Sequence, residues 1–569
     1  MKYVIIGAVA GGASTAARLR RLDEHAEIVI FEKGAYISYA NCGLPYYIGE
    51  VIKERNDLFV QTATSFNERF NIDVRIQTEV TNINPQNKTV TAINQLTGQE
   101  YEETYDKLVL SPGAEPIRPP LPGITHEGIF TLRNVTDTDY IKAFVQQKTV
   151  KRAVIIGAGF IGLEMAENLH NLGLEVTIIE MGNQILAPVD FPIAAMAQQH
   201  IRSKGVHLLL NATVTAFEKN SHELQVILKD GSEVAADIVL MSIGVRPDTR
   251  LAVKAGLRIG DAKGIWVNEY LQTSDQDIYA VGDAIEFENP ITCQSMNTYL
   301  AGPANKQGRI CANNMVLGHV HPYQGAINTA IVKIFDMTVA TAGTASKHLE
   351  KAGIRHLVST THGSSHAGYY PGARQMSIQI AFSPDDGRLL SAQIAGYEGV
   401  DKRIDLLSSV IQRNSTIYEL AAFEHAYAPP YSSAKDPVNM AGFVAENILQ
   451  GMLNVFYWDQ SEIITDQDML IDVRTKEEYE AGHISNAINI PIDNFRDRLG
   501  EIDKSKYIYI YCLGGLRGYL AQRILRQNGY NAVRNLSGGF QLWEVCMAEM
   551  KLSKTMPAQL ISHEMDHVV

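Results

Sequence analysis

Cys42 stands in the run Ser38-Tyr39-Ala40-Asn41-Cys42-Gly43-Leu44-Pro45-Tyr46-Tyr47, and Cys512 in Tyr511-Cys512-Leu513-Gly514-Gly515-Leu516-Arg517. A cysteine reacts as its thiolate, and both settings favour that form. After Cys42, Gly43 permits a sharp turn and Leu44-Pro45-Tyr46-Tyr47-Ile48-Gly49-Glu50 is compatible with a helix start, whose N-terminal field lowers a thiol pKa. No cysteine lies at Cys-x2-Cys or Cys-x4-Cys spacing from it, so the sulfur that pairs with Cys42 comes from elsewhere. Cys512 closes the strand-like run Tyr507-Ile508-Tyr509-Ile510-Tyr511 and opens a glycine-rich bend into a helix. Such a bend aims backbone N–H groups at the sulfur and stabilises a thiolate or an anionic persulfide. Cys293, Cys311 and Cys546 have no motif around them and are expected as packing residues. No His, Cys and carboxylate cluster has metal-ligand spacing, so no metal is expected.

Two glycine turns supply partners for this sulfur chemistry. Tyr3-Val4-Ile5-Ile6 reads as a buried strand, Gly7, Gly11 and Gly12 as its turn, and Ala13 to Leu22 as a helix. Glu27 to Glu32 then reads as the next strand. A strand, glycine turn and helix start present N–H groups to a pyrophosphate, and an acid some twenty residues later takes ribose hydroxyls. Here that acid is Glu32, followed by Lys33, although Val9 replaces the middle glycine. The second turn carries all three glycines, Gly157, Gly159 and Gly162, and its strand ends in Glu180. A carboxylate there bonds a 2′-hydroxyl and repels a 2′-phosphate, which favours NADH over NADPH. The run Thr273 to Ala284 resembles the second FAD motif of flavoproteins with two dinucleotide-binding domains, a resemblance that implies contact of Asp283 with the flavin ribityl and phosphate region. Tyr105 to Ala114, which includes Gly113, and Ile243 to Asp248 resemble the two crossings between those domains.

Composition sets the limits. The chain has 569 residues, enough for about four domains at the usual ~150 residues each. No apolar run nears the ~20 residues needed to span a bilayer, and the N-terminal apolar run feeds a glycine turn with no small-residue cleavage site. A net charge of −13 argues against nucleic acid or an anionic membrane as partner. Five cysteines without framework spacing suit a reducing cytoplasm.

With these motifs in view, residues 1 to about 445 resemble the coenzyme A disulfide reductase branch of the pyridine nucleotide-disulfide oxidoreductases. Residues Ser38 to Tyr46 carry the specific signature. The resemblance implies that NADH reduces FAD, that FAD reduces Cys42, and that Cys42 forms a mixed disulfide with coenzyme A. It further implies two tyrosines reaching the site from the other subunit of a homodimer, for which Tyr369 and Tyr427 are the best matches, and places Ser38 and Asn41 at the pantetheine arm. Coenzyme A needs cations for its phosphates. Arg18 and Arg21 share one helix face, as do Lys306 and Arg309; each pair reads equally as solvated surface, and the resemblance favours a coenzyme A site. Residues 460 to 550 resemble a single rhodanese domain. Four residues separate Cys512 from Arg517; phosphatase loops of related shape use five and enclose a larger phosphate, so this loop suits sulfane sulfur.

The expected architecture is α/β: two Rossmann-like domains with the NAD domain inserted into the FAD domain, an α+β dimerisation domain and a C-terminal α/β rhodanese domain. The boundaries are 1–114 and 246–325 for FAD, 115–245 for NAD, 326–446 for dimerisation, 447–459 as a linker, 460–550 for rhodanese and 551–569 as a tail. The expected activity is NADH- and FAD-dependent reduction of coenzyme A disulfide, coenzyme A persulfide or polysulfide, with a sulfane-sulfur donor to Cys512 as a further partner. One alternative is an NADH oxidase or peroxidase cycling Cys42 through sulfenic acid. Those peroxidases carry a His in the first glycine turn, where this chain has Ala10, and lack a rhodanese domain. The other alternative is a sulfur-relay scaffold whose flavin domain senses NADH without turnover.

Overall fold

The run Tyr3-Val4-Ile5-Ile6 is dominated by apolar surface and is buried at the centre of a parallel sheet. In the computed structural model, which describes residues 1–220 and 223–555, strand Lys2–Ile6 lies between Glu27–Phe31 and Lys107–Leu110. Asp73–Arg75 and Ile278–Ala280 complete the five strands. Helix Ala10–Leu22 follows the first strand and packs on helix Ala301–Leu317. Gly308 permits that approach, because a Cβ there would stand 2.6 Å from the Gly11 carbonyl oxygen. A second parallel arrangement sets Arg152–Ile156 between Glu175–Ile179 and Ile238–Met241, with Ile129–Phe130 beyond the latter. Helix Phe160–Asn171 leaves its glycine turn. All these elements belong to one compact unit, Met1–Ile179 with Thr213–Asn328.

The second unit joins Glu180–Ala212 to the chain from Thr329 onward. Its antiparallel sheet runs Ala330–Ile334, Met337–Gly343, Leu389–Gly396, Gln375–Phe382, Leu357–Ser364. Every residue of Leu389–Gly396 is buried, and helices Val400–Gln412 and Pro437–Leu449 cover the sheet. A parallel sheet follows in the order Val455–Phe456, Val533–Leu536, Ile508–Tyr511, Met469–Asp472, Ile488–Asn489. The expected α/β class is met: two Rossmann-like parallel sheets, an antiparallel sheet covered by helices and a C-terminal parallel sheet.

Three expectations need correction. The stretch 447–459 is not a free linker: helix Pro437–Leu449 runs into it, and Val455–Phe456 forms an edge strand with Phe456 fully buried. The tail begins later than 551, because helix Gly539–Thr555 continues through that point; residues 556–569 lie outside the described residues. Cys293 is exposed in a left-handed turn (φ 55°), whereas Cys311 and Cys546 are buried as packing residues should be. Cys546 sits against Ala195 of helix Phe191–Ser203, whose Gln198 Nε2 donates to Glu549 Oε2 at 3.0 Å. Through such contacts residues 180–212 group with the second unit. Among the described residues no helix is long and apolar enough to cross a membrane, and no cluster of side chains is arranged to hold a metal ion.

Candidate functional site

A cavity of about 530 Å³ opens along the carboxyl ends of the first sheet. Gly7, Gly11, Glu32, Lys33, Gly113 and Asp283 line it. Gly7 (φ +96°) is glycine by necessity, since a Cβ would stand 2.1 Å from the Ser111 carbonyl oxygen. Gly12 does not line the cavity; its missing Cβ lets the helix lie against Gly7, where a Cβ would come within 1.9 Å of the carbonyl oxygen. Glu32 accepts the Ala8 and Gly34 amides at 3.0 and 2.7 Å, which holds its carboxylate at the mouth of the turn. Lys33 pairs with Glu115 at 2.9 Å. Asp283 lies in the turn Gly282–Ala284, and burial pushes its carboxyl up to about 6. Glycine lining with Glu32 and Asp283 among the lining residues fits a flavin dinucleotide. Ser111 and Arg133 also line the cavity and carry no sequence fingerprint of their own.

In the second turn Gly157 (φ +99°) faces the Ser242 carbonyl, and Gly162 lies where a Cβ would meet the Gly157 carbonyl oxygen at 2.1 Å. Gly159 caps helix Phe160–Asn171 and has open space where its Cβ would be, which fits a pyrophosphate at the helix N-terminus. In the other unit, Glu180 Oε1 accepts the Gly182 amide at 2.7 Å.

Cys42 is exposed in the 3₁₀ turn Asn41–Gly43, and Asn41 lines the flavin-sized cavity. Ser38, in a left-handed conformation (φ 43°), donates its amide to the Ala8 carbonyl at 2.8 Å, tying the cysteine segment to the first glycine turn. The expected lowering of the thiol pKa is not found. Desolvation and the charges of Glu164 and Asp283 push it up, and helix Leu44–Ile48 has only five residues to oppose them. Arg18 feels the charges of Arg21 on its own helix and of Arg309 on helix Ala301–Leu317, which packs against it; among the described residues no contact brings Lys306 into this group. Partial desolvation and the charges of Arg309 and Arg21 lower the Arg18 pKa, and its Nε donates to Asn313 Oδ1 at 2.8 Å. Such crowding of cations is relieved by an anion.

The hydroxyls of Tyr369 and Tyr427 share a hydrogen bond of 2.7 Å at the surface of the second unit. A fully buried ion pair holds their loops. Arg403 contacts Asp436 at 2.7 Å and donates to the Ser365 carbonyl at 2.9 Å, while Ser432 Oγ donates to Asp436.

Cys512 ends strand Ile508–Tyr511, 2% exposed, and its Sγ accepts the Gly515 amide at 3.1 Å. Gly515 (φ +116°) then caps helix Leu516–Gln527. Arg517 faces Cys512 and is held by Glu478 through contacts of 2.6 and 2.7 Å, which in turn depress the Glu478 carboxyl to about 2. The loop rests on Gly539, where a Cβ would stand 2.4 Å from the Leu513 carbonyl oxygen, and the Phe540 amide donates to the Cys512 carbonyl at 2.8 Å. On its other side lies His362 of strand Leu357–Ser364, donating through Nε2 to the Gly538 carbonyl and accepting through Nδ1 from Ser377, both at 2.8 Å. Sequence reasoning missed Glu478 and His362, because ion-pair and domain-contact partners leave no local pattern.

Family comparison matches residues 1–308 to pyridine nucleotide-disulphide oxidoreductase, 329–437 to the dimerisation domain of the same enzymes, and 459–546 to a rhodanese-like domain. A coenzyme A disulfide reductase of Staphylococcus haemolyticus is 37% identical over 447 residues, 79% of this chain and all of that protein. The crystal structure of reduced CoADR-RHD from Bacillus anthracis is 47% identical, with a TM-score of 0.94 over 96% of this chain and 98% of that one. An NAD-dependent persulfide reductase from A. fulgidus is 37% identical, with a TM-score of 0.89 over 95% of this chain and all of that one.

Proposed function

Because the chain belongs to the pyridine nucleotide-disulphide oxidoreductase family and carries a rhodanese-like domain, we propose that it uses NADH and FAD to reduce coenzyme A persulfide or a related coenzyme A disulfide or polysulfide at Cys42, with Cys512 carrying sulfane sulfur. The observation that carries this reading is an exposed Cys42 directly after Asn41, which lines a flavin-sized cavity, in a chain that also holds a complete Cys512 to Arg517 loop.

Cys42 thiolate attacks the coenzyme A sulfur of the persulfide, forming Cys42–S–S–CoA and releasing HS⁻. Gly7, Gly11, Glu32 and Asp283 would hold FAD, which would supply two electrons from NADH to return the mixed disulfide to Cys42 thiolate and coenzyme A thiolate. The sum is CoA–SSH + NADH → CoA–S⁻ + HS⁻ + NAD⁺ + H⁺. Arg18, Arg21, Lys306 and Arg309 hold the coenzyme A phosphates, and Ser38 and Asn41 border the arm that reaches Cys42. The hydrogen-bonded Tyr369 and Tyr427 of a partner subunit supply O–H donors to the departing sulfur. At the second centre the Gly515 amide and Arg517 stabilise a negatively charged Cys512 persulfide. Glu180 favours NADH, which bears a free 2′-hydroxyl. Fusion of a sulfur carrier to the reductase favours persulfide over plain coenzyme A disulfide.

The test is NADH oxidation with coenzyme A persulfide, coenzyme A disulfide and hydrogen peroxide. Turnover with the persulfide, lost in Cys42→Ser while the flavin remains bound, supports the reading. Equal turnover in Cys42→Ser, or turnover with peroxide alone, overturns it.

A further inference from the structure

Where the chain crosses between the two parallel sheets of the first unit, strands Ala114–Pro116 and Val245–Pro247 pair antiparallel, which sets Arg246 opposite Glu115. Glu115 is already engaged, since Lys33 and Arg133 hold it at 2.9 and 3.2 Å. Asp248 is taken by Arg250 at 2.6 Å. Asp137 accepts the Arg133 amide at 3.0 Å within the cap of helix Val135–Val145. Arg118, just past the first of these strands, donates through Nη2 to Thr131 Oγ1 at 2.7 Å. Among the described residues neither Arg118 nor Arg246 joins an ion pair, and both are exposed.

These side chains line a second cavity, of about 700 Å³, with five cations against three carboxylates. Lys33, Glu115, Arg133, Asn134, Asp248 and Arg250 also line the flavin-sized cavity, so they form the wall between the two. Arg118, Thr131 and Arg246 line only the second. A third cavity, of about 460 Å³, shares Arg118, Thr131 and Asp137 with it and so continues it. Here the lining turns aromatic. Tyr140 and Phe144 lie four apart on helix Val135–Val145, hence on one face, and Phe144 meets Phe130 edge to face at 5.2 Å. Tyr140 keeps 66% of its surface exposed.

Unpaired guanidinium groups beside an open aromatic face are complementary to a nucleotide. Guanidinium N–H groups bind phosphate oxygens in pairs, and an aromatic ring stacks on a base of any identity. Each cavity falls within the ~300–1,000 Å³ usual for small-molecule sites. We propose that the joined cavity binds a nucleoside diphosphate, with Arg118 and Arg246 on its phosphates and Tyr140 against its base. This site is distinct from the glycine turns at Gly7 and Gly157, and its occupancy does not depend on what Cys42 reduces.

The test is photolabelling of the full-length flavoprotein with 8-azido-ADP, the labelled peptides being mapped by mass spectrometry. Label is expected on the peptide that holds Tyr140, and excess ADP is expected to suppress it. The double variant Arg118→Ala, Arg246→Ala is expected to lower that label at least tenfold, with bound FAD and any label at the Gly157 turn unchanged. The double variant Arg118→Lys, Arg246→Lys keeps the charge and is expected to keep most of the label, which answers for a folding defect of the alanines. Inorganic pyrophosphate is expected to protect the Tyr140 peptide about tenfold less well than ADP, because it offers nothing to stack. Label confined to other peptides, or equal label at Tyr140 in wild type and the alanine variant, overturns the inference. Loss of FAD from the alanine variant assigns the cavity to the flavin site and overturns it too. Equal protection by pyrophosphate and ADP refutes the base-stacking role of Tyr140 and with it the nucleotide.

Discussion

Arg517 is held by two short contacts to one carboxylate, and such bidentate pairs fix direction as well as charge. Glu478→Gln leaves the guanidinium beside Cys512 without its ionic partner. A hydrogen bond to a charged group contributes about 1.5–3 kcal/mol, so sulfur transfer from a sulfane donor to cyanide is expected to fall roughly 10- to 100-fold. NADH oxidation with coenzyme A persulfide at Cys42 is expected to stay unchanged. Loss of both activities together would show a folding defect and refute the separate role of Glu478. Residues of this kind were only partly legible. Cys42, Cys512 and Arg517 are marked by spacing, whereas Glu478 lies 39 positions from Arg517 and is joined to it by the fold alone.

At the scale of elements, Arg403 and Asp436 anchor the loops that carry Tyr369 and Tyr427, and both are fully buried. Removing one member strands a charge without water, which costs about 3–5 kcal/mol. Arg403→Met is therefore expected to lower the thermal midpoint of the second unit by several degrees, measured by calorimetry, and to raise KM for the coenzyme A substrate more than KM for NADH. An equal rise in both would argue against a role in setting the tyrosine loops. The glycine turns, their strands and the terminal acids were legible because each is a local pattern of φ and hydrophobicity. The raised Cys42 thiol was not: a helix start after it was anticipated, but not that the helix has only five residues, and Glu164 and Asp283, which oppose its field, come from 122 and 241 residues away.

Across the second unit, His362 joins the antiparallel sheet to the segment beneath the Cys512 loop. Desolvation lowers its pKa from the ordinary 6.5 to about 4. The unfolded chain therefore takes up a proton below about pH 6.5 that the folded chain refuses until about pH 4. Stability falls as pH drops through that window, by about 1.4 kcal/mol per pH unit from this residue. The expected outcome is an acid-side decline in the thermal midpoint between pH 6.5 and 4 that is shallower in His362→Gln, whose amide does not titrate. Identical slopes in the two proteins would refute it. The matched dimerisation domain also implies a pair of chains, so light scattering is expected to give about twice the 62.8 kDa chain mass.

The order of residues by itself determined two nucleotide turns, a lone thiol after the first, a second thiol in a Cys-x4-Arg loop and the α/β class, because each depends on neighbours within a dozen positions. Tertiary structure alone decided that Val455–Phe456 belongs to a sheet, that Arg118 meets Thr131 and that His362 meets Gly538. Those outcomes depend on which distant surfaces exclude water together. Burial sets pKa values and permits close approach, and no local spacing encodes it.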